Sequence, residues 1–430
     1  MTLSQLLSQP EGRRLEFKLS LPTNSDLAKT IVAFANDAGG DIFIGVDDST
    51  HQIVGIDEDL YPQMEEQVSN LVYDRCSPTI LPEISLAKVG EKALLRIRIY
   101  RGSQPPYFLK SEGKMSGTYI RVGSNNRLAD EEILMELERR RHRVSFDSEL
   151  LPQLELQALR FDGFSQLLEA QTGEVLDDNI MRKLQLVRVE QGCTFPTRAL
   201  VLLSDSPQTD GLFANAKIEC ARFKGSSSEV FLDQKTIGGS IATQAEKAYN
   251  FVLRHINKGA HVEGVYTMSR WEYPIDAIRE VIRNAVVHRD YSLSGKDIKI
   301  AIYDDMVEVT SPGIVPPSID FSDMVSRQSD ARNKTIAPVF KHLGLIDQWG
   351  NGLKVIYDQL QDYPEIKFKW KEVGMSLQVS FVKTMASEST SMTQENGQAT
   401  QGLPKGYPRN TQEIPKKYPR KFVRDVAFDT

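Results

Sequence analysis

The stretch Ile278-Arg279-Glu280-Val281-Ile282-Arg283-Asn284-Ala285-Val286-Val287-His288-Arg289-Asp290-Tyr291 is the most informative part of this sequence. Its apolar residues recur at helical spacing, so the pattern predicts a helix over 274–288. Glu280 and Asn284 are four residues apart, so they share one face of that helix, away from the apolar side. Both side chains can therefore point at the same ligand, and the amide oxygen of asparagine suits a hard cation.

Two glycine-containing turns follow this helix. Gly313 lies in Ser311-Pro312-Gly313-Ile314-Val315-Pro316, and the second turn is Gln348-Trp349-Gly350-Asn351-Gly352-Leu353. A Gly-x-Gly turn before a helix can cradle phosphate on backbone N–H groups, although a loop that only turns uses the same residues. The expected elements around the turns are strands at 298–303, 307–311 and 375–382 and helices at 336–342 and 353–360.

These motifs, in this order, resemble the N-box and the glycine boxes of a divergent branch of the GHKL ATPases. The resemblance covers roughly residues 235–383 and implies an α/β sandwich that binds ATP with Mg²⁺, Mn²⁺ being an alternative metal. It implies that Glu280 is the catalytic residue that orients the attacking water and that Asn284 ligates the metal. The glycines implied to contact the nucleotide are Gly313, Gly350 and Gly352. The usual first glycine box begins with an Asp that reads the adenine amino group, and Ser311-Pro312-Gly313 lacks it.

A second group of motifs lies near the N-terminus. It consists of Glu11-Gly12-Arg13-Arg14-Leu15-Glu16-Phe17-Lys18, then Ala33-Phe34-Ala35-Asn36-Asp37-Ala38-Gly39-Gly40, then Gly45-Val46-Asp47-Asp48. The patterns predict a strand over 12–18, a helix from Ser25 to about Asp37 that Gly39-Gly40 ends, and a strand over 41–46 leading into a hairpin at 53–56. Converging carboxylates of such a module can hold a divalent cation against a phosphate.

Together with Tyr119-Ile120-Arg121-Val122-Gly123-Ser124, these motifs resemble the Schlafen AlbA-type domain over about residues 8–135. The resemblance implies an α+β nucleic-acid module. Nuclease members of the family cut RNA with a Glu, Glu, Asp set, which implies Glu11, Glu16 and Asp47 as catalytic and metal-binding residues, with Asp48 as the alternative aspartate. Lys18 would meet phosphate charge. Nucleic-acid binding without cleavage and a solvated Glu16–Lys18 pair are the competing interpretations.

A basic cluster, Arg139-Arg140-Arg141-His142-Arg143, ends a helix predicted over 130–143. The whole chain has a net charge of −6, so any affinity for nucleic acid must come from local charge. Arg139, Arg140, Arg141 and Arg143 are therefore candidates for phosphate contact. The alternative is a solvated helix end that favourably meets the helix dipole.

Length and composition place these motifs in a multidomain α+β and α/β protein of 430 residues. The expected domains are a nucleic-acid module at 1–143, a connecting α/β region at 144–234, an ATP-binding module at 235–385 and a disordered basic tail at 386–430. The three cysteines do not suggest a disulfide framework. We see no secretory signal and no apolar run of ~18 residues, so we expect a cytoplasmic protein without a membrane partner.

The motifs together predict a nucleic-acid-binding regulatory protein, for example a transcriptional regulator, with an Mg-ATP-binding module that is at most a weak ATPase. One alternative is a metal-dependent nuclease gated by nucleotide. Another is an interaction scaffold with two inactive domains. The sequence leaves open whether the partner is DNA or RNA and whether the chain forms a homodimer.

Overall fold

The computed structural model describes residues 3–384 apart from 208–211, 264–265, 317–318, 320, 327–329 and 348–349. The described residues belong to one compact unit. The expected disordered tail at 386–430 lies outside the described residues, as do Gln348 and Trp349 of the second glycine turn.

The helices and strands follow in chain order. The helices are α1 (Leu3–Leu7), α2 (Asn24–Asn36), α3 (Tyr61–Arg75), α4 (Gly113–Gly117), α5 (Glu131–His142), α6 (Asp162–Thr172), α7 (Asp178–Lys183), α8 (Arg198–Leu203), α9 (Ile241–His255), α10 (Ile275–Val287), α11 (Ile336–His342) and α12 (Gly352–Gln361). The strands are β1 (Leu15–Lys18), β2 (Gly40–Ile44), β3 (Cys76–Ser77), β4 (Glu83–Val89), β5 (Lys92–Ile99), β6 (Phe108–Leu109), β7 (Tyr119–Val122), β8 (Asn125–Leu128), β9 (Val187–Glu190), β10 (Cys193–Pro196), β11 (Ile218–Phe223), β12 (Phe231–Ile237), β13 (Lys258–Glu263), β14 (Tyr266–Trp271), β15 (Ile298–Ile302), β16 (Met306–Pro312), β17 (Ile366–Val373) and β18 (Ser376–Lys383).

The N-terminal half is built on a mixed four-stranded sheet of order β1-β2-β5-β4, with β1 parallel to β2. The buried side of α2 packs on this sheet, and the helix ends where predicted. Gly39 has a φ of +73°, and a Cβ there would lie 2.6 Å from the carbonyl oxygen of Ile99, so the turn into β2 requires glycine. The N-cap of α2 is Thr23, which accepts a hydrogen bond from the Asp26 N–H, and not Ser25 as expected.

The C-terminal half is built on a six-stranded sheet of order β12-β11-β15-β16-β18-β17. The apolar side of α10 is buried beneath the site described below, with Ile278 and Ile282 fully enclosed. This sheet and its helices form the expected α/β layer, so the α+β and α/β fold class is confirmed.

The region expected to be a connector at 144–234 is part of the same hydrophobic core. Leu151, Phe164 and Leu200 belong to one buried cluster with Ile282 and Phe381. The expected boundary between 234 and 235 falls inside β12, which pairs with β11, and β11 in turn pairs with β15. Within this region, Arg198–Leu203 form α8, which Thr197 caps by accepting from the Leu200 N–H.

Candidate functional site

One cavity in the C-terminal half is lined by all five residues that the sequence assigned to a nucleotide. Two are on α10, one follows β16, and two lie at the start of α12; they are Glu280, Asn284, Gly313, Gly350 and Gly352. The sheet contributes apolar lining through Val309 and Val379. The fold thus brings together motifs that are up to seventy residues apart in the sequence.

Glu280 and Asn284 contact each other on the cavity side of α10. The Asn284 Nδ2 donates to Glu280 Oε1 over 3.0 Å. Burial raises the pKa of Glu280, although the hydrogen bond from Asn284 acts in the opposite direction. Because Nδ2 is directed at the carboxylate, the amide oxygen is the atom of Asn284 that can ligate a cation.

Gly352 brings the N-terminus of α12 against this pair. A Cβ on Gly352 would lie 2.3 Å from Glu280 Oε1 and 3.3 Å from Asn284 Nδ2. The N-cap Asn351 makes no side-chain hydrogen bond to the first turn of α12. The first N–H groups of a helix have no intrahelical acceptor, and they favour an anion, so the geometry suits phosphate.

The other glycine turn is fixed by its neighbours at the end of β16. Ser311 Oγ donates to the Ala285 carbonyl oxygen over 2.8 Å and ties β16 to α10. Gly313 has a φ of +109°, and a Cβ there would lie 3.0 Å from the Asp290 Cβ. Ser311 thus has a structural partner, and the position where relatives carry the adenine-reading Asp holds no carboxylate.

The segment after α10 is held by Arg332 and Asn333. Asn333 Nδ2 donates to the carbonyl oxygens of Val287 and Arg289, both over 2.8 Å. Arg332 donates to Asp290 Oδ2 over 2.8 Å and to the Ile314 carbonyl oxygen over 2.6 Å. The His-Arg-Asp-Tyr sequence therefore shapes the wall of the cavity through these bonds.

Sequence reasoning assigned no function to His288, Lys341 and Asp347, which also line the cavity. Burial, followed by the positive charge of Arg332, lowers the pKa of His288 to about 4, so its ring is neutral at pH 7. The position of His288 directly after the Glu280–Asn284 face was a usable signal. No sequence signal placed Lys341 and Asp347 at the cavity, because their positions depend on how α11 packs.

The N-terminal carboxylates surround the ammonium group of Lys18. Its Nζ lies 3.0 Å from Glu16, 3.7 Å from Asp48 and 3.9 Å from Glu11. Burial lowers the pKa of Lys18, but the hydrogen bond and charge of Glu16 outweigh it and raise the pKa overall. Glu16 also pairs with the buried Arg121, and Glu11 accepts from the Phe17 N–H over 2.7 Å.

Asp47 does not join these carboxylates. Its Oδ1 accepts from the backbone and hydroxyl groups of Ser49 and Thr50 in a local turn, and these hydrogen bonds lower its pKa to about 2. Within the described part of the chain, no group of three or more His, Cys, Asp or Glu side chains could hold a metal ion. The expected convergence of Glu11, Glu16 and Asp47 is therefore not found, and their catalytic and metal-binding roles stay predictions.

The basic cluster at the end of α5 is divided between two environments. Arg139 turns inward, where it pairs with Glu136 at 2.9 Å and lies over the Phe146 ring, and Arg140 donates to the Asn36 carbonyl oxygen. Arg141 and Arg143 are exposed. The cluster is thus not a single basic surface, because a helix end turns its side chains in several directions.

No helix within residues 3–384, as far as these are described, is both long and apolar enough to cross a membrane. This finding rests on helices of at most 15 residues, the length of α3 and α9.

Two family models match separate parts of this chain. Residues 11–130 match the model described as "Schlafen, AlbA_2". Residues 295–381 match the model described as "Putative ATP-dependent DNA helicase recG C-terminal". No curated protein matches the chain.

Solved structures that align with this chain include the DIP2311 protein from Corynebacterium diphtheriae. It is 21% identical, with a TM-score of 0.47, and the alignment covers 88% of this chain and 79% of that one. The N-terminal domain of a RecG-related protein from Nitrosomonas europaea is 24% identical, with a TM-score of 0.24, over 30% of this chain and 90% of that one. Because both TM-scores are below 0.5, no property of either protein is transferred to this chain. On the family matches, the chain carries a Schlafen AlbA_2 domain over residues 11–130 and a domain of the recG C-terminal type over residues 295–381.

Proposed function

We propose that this chain is a nucleic-acid-binding regulatory protein whose C-terminal domain binds ATP together with Mg²⁺. The observation that carries the proposal is the cavity in which Glu280 and Asn284 face the N-terminus of α12 at Gly352. A cation ligand, a carboxylate and the N–H groups of a helix N-terminus are what a triphosphate with its metal needs.

The residues of the cavity would have different roles, which follow from their chemistry. Asn284 would hold Mg²⁺ through its amide oxygen, and the metal would neutralise charge on the phosphates. The first turn of α12 would bind phosphate oxygens. Glu280 would orient the attacking water, a role that needs the ionised carboxylate, so its loss should lower the rate more than the affinity.

The cavity lacks the Asp that would accept a hydrogen bond from the adenine amino group in the family that this domain resembles. Ser311 already donates to Ala285, and no carboxylate stands in its place. We therefore expect recognition to rest on the triphosphate, with weak discrimination between ATP and GTP. Calorimetry with both nucleotides measures this difference directly.

Nucleic acid is the proposed partner of the N-terminal domain. The support is the Schlafen AlbA_2 match and the description of the C-terminal family as part of a DNA helicase. The exposed Arg141 and Arg143 are the members of the basic cluster that can reach a phosphate backbone without rearrangement. A nuclease would need Lys18 to leave the carboxylates around it, so binding without cleavage is the favoured version.

The regulatory part of the proposal rests on a contact between the two halves. Arg13, at the start of the N-terminal sheet, donates to the Val315 carbonyl oxygen over 2.6 Å and to Glu372 over 3.0 Å. Val315 lines the nucleotide cavity. A nucleotide that shifts the Ile314–Val315 wall would therefore act on the N-terminal domain through Arg13.

Calorimetry with ATP and Mg²⁺ tests the nucleotide proposal. We expect wild type to bind, Asn284→Ala to bind at least about tenfold more weakly, and Glu280→Gln to keep binding while losing hydrolysis. If wild type binds no nucleotide at millimolar concentration, the proposal fails and the scaffold alternative gains support.

A second experiment decides between regulator and nuclease. The protein is incubated with labelled tRNA and DNA, with and without Mg²⁺, Mn²⁺ and ATP, and the assay measures whether the nucleic acid is bound intact or cleaved.

A further inference from the structure

A second cleft lies between the N-terminal and C-terminal halves and is rich in arginine. It shares the Ile314–Pro316 wall with the nucleotide cavity but has its own lining. Its carboxylates are largely engaged: Asp37 pairs with Arg13, Asp290 with Arg332 and Glu136 with Arg139. Glu132 and Asp330 also lie in the lining.

Several cations of this cleft lack such compensation. Among the described residues, none of the following forms an ion pair with a carboxylate: Arg101, Arg140, Arg143 and Lys334. They come from four separate places, which are the loop after β5, the end of α5, the residue after α5 and the segment before α11. Positive charge thus converges from different directions on one space.

Arg140 is the most telling of these residues. Its Nη2 donates to the Asn36 carbonyl oxygen, but its Nε is buried and has no partner among the described residues. Burial, followed by the positive charge of Arg101, lowers the pKa of Arg140 to about 10. A largely buried guanidinium without an ion-pair partner among the described residues is costly, and an anion in the cleft would compensate its charge.

We propose that this cleft binds a phosphate monoester dianion through Arg140 and Arg101, with Arg143 and Lys334 at its edge. A dianion with three terminal oxygens can accept from several cations at once, whereas a carboxylate satisfies a single guanidinium fork. The site is separate from the nucleotide cavity and does not depend on the proposed function. The phosphate could belong to a free small molecule or to the 5′ end of a nucleic acid, and the chemistry at Arg140 is the same.

The test is a titration of the full chain with inorganic phosphate, followed by phosphorus NMR at constant ionic strength. We expect saturable binding to wild type and at least about tenfold weaker binding to Arg101→Gln and to Arg140→Gln. Arg101 is exposed and outside the hydrophobic core, so its variant keeps the proposal testable even if Arg140→Gln fails to fold. The matched control is Arg75→Gln, which removes an exposed arginine at the end of α3 that does not line the cleft and should leave binding within about twofold.

Two oligonucleotides that differ only in a 5′-phosphate or 5′-hydroxyl identify the source by fluorescence anisotropy. If the 5′-phosphate oligonucleotide binds more tightly than the 5′-hydroxyl one, and the difference in affinity disappears in Arg101→Gln, the cleft binds nucleic-acid ends. If inorganic phosphate binds saturably but the two oligonucleotides bind equally, the cleft binds a small molecule. Asn284 lies in the nucleotide cavity and not in the cleft, so Asn284→Ala should still bind inorganic phosphate. Failure of the nucleotide proposal would therefore leave the result for the phosphate site unchanged. Absence of saturation in wild type, or equal weakening by Arg75→Gln, would overturn the phosphate site.

Discussion

At the scale of the single residue, adding one methyl group at Gly352 should lower the rate of ATP hydrolysis while leaving stability nearly unchanged. Its Cβ would meet the end of the flexible Glu280 side chain at 2.3 Å, so Gly352→Ala must displace that carboxylate. Alanine suits a helix better than glycine does, so the free energy of unfolding should hardly fall. We expect ATP hydrolysis to drop by up to about 10²-fold, because misplacing a catalytic group by about an ångström is that costly.

The control for Gly352→Ala is Gly295→Ala. No atom lies within 4 Å of a Cβ built there, so this variant should keep both the melting temperature and the hydrolysis rate. Equal rates for Gly352→Ala and wild type would contradict the assigned position of Glu280 in the reaction.

The buried carboxyl of Glu280 also predicts a dependence of stability on pH. Its pKa is raised in the folded state, so its contribution to stability is fully present below the ordinary pKa of glutamate and is lost as pH rises through the raised value. Glutamine cannot ionise, so Glu280→Gln should melt higher than wild type at about pH 8, and the difference should vanish near pH 4. Each kcal/mol would appear as roughly 1–2 °C in calorimetric scans of a unit this large. A difference that grows towards low pH would refute the assignment.

At the scale of the element, α11 depends on a cap supplied from a distant part of the chain. Asp147, which is fully buried, accepts from the N–H groups of Thr335 and Ile336, both over 2.8 Å. Asp147→Ala leaves both groups without their acceptor and should lower the free energy of unfolding by about 1–3 kcal/mol.

Asp147→Asn is the conservative comparison for this cap. Burial raises the pKa of Asp147, so a neutral amide that keeps one acceptor oxygen should cost less than alanine does. Urea unfolding curves of the two variants measure the difference. A larger loss for Asn than for Ala would show that the charge, and not the cap, stabilises α11.

At the scale of the whole molecule, we expect the contacts of Arg13 to transmit the effect of nucleotide binding to the N-terminal domain. Arg13→Gln removes the pairs with Asp37 and Glu372. We expect Mg-ATP to change nucleic-acid affinity of wild type by about 5–150-fold, the usual range of allosteric coupling, and to change that of Arg13→Gln much less. Anisotropy titrations with and without Mg-ATP give both values. Coupling that survives in Arg13→Gln would place the communication elsewhere.

Much of the architecture could be predicted because it is local. The 3.6-residue period over 278–287 predicts α10, and a spacing of four puts Glu280 and Asn284 on one face whatever packs around them. The edge strands of the C-terminal sheet, β12 and β17, could not be predicted in this way. Their side chains are mostly exposed, so they carry little of the apolar alternation that identifies a strand.

By itself, the sequence determined the principal helices and strands around the motifs, the two domain types and the face that carries Glu280 and Asn284, since each depends on short-range geometry or an ordered motif. Only the tertiary structure decided which charges meet. Lys18 is enclosed by Glu16, Glu11 and Asp48, while Asp47 turns to its own loop. Arg140 faces an interdomain cleft although its neighbour Arg141 faces solvent. The reason is physical: a side chain's partner is set by what the fold places within a few ångströms, and that placement depends on residues hundreds of positions away.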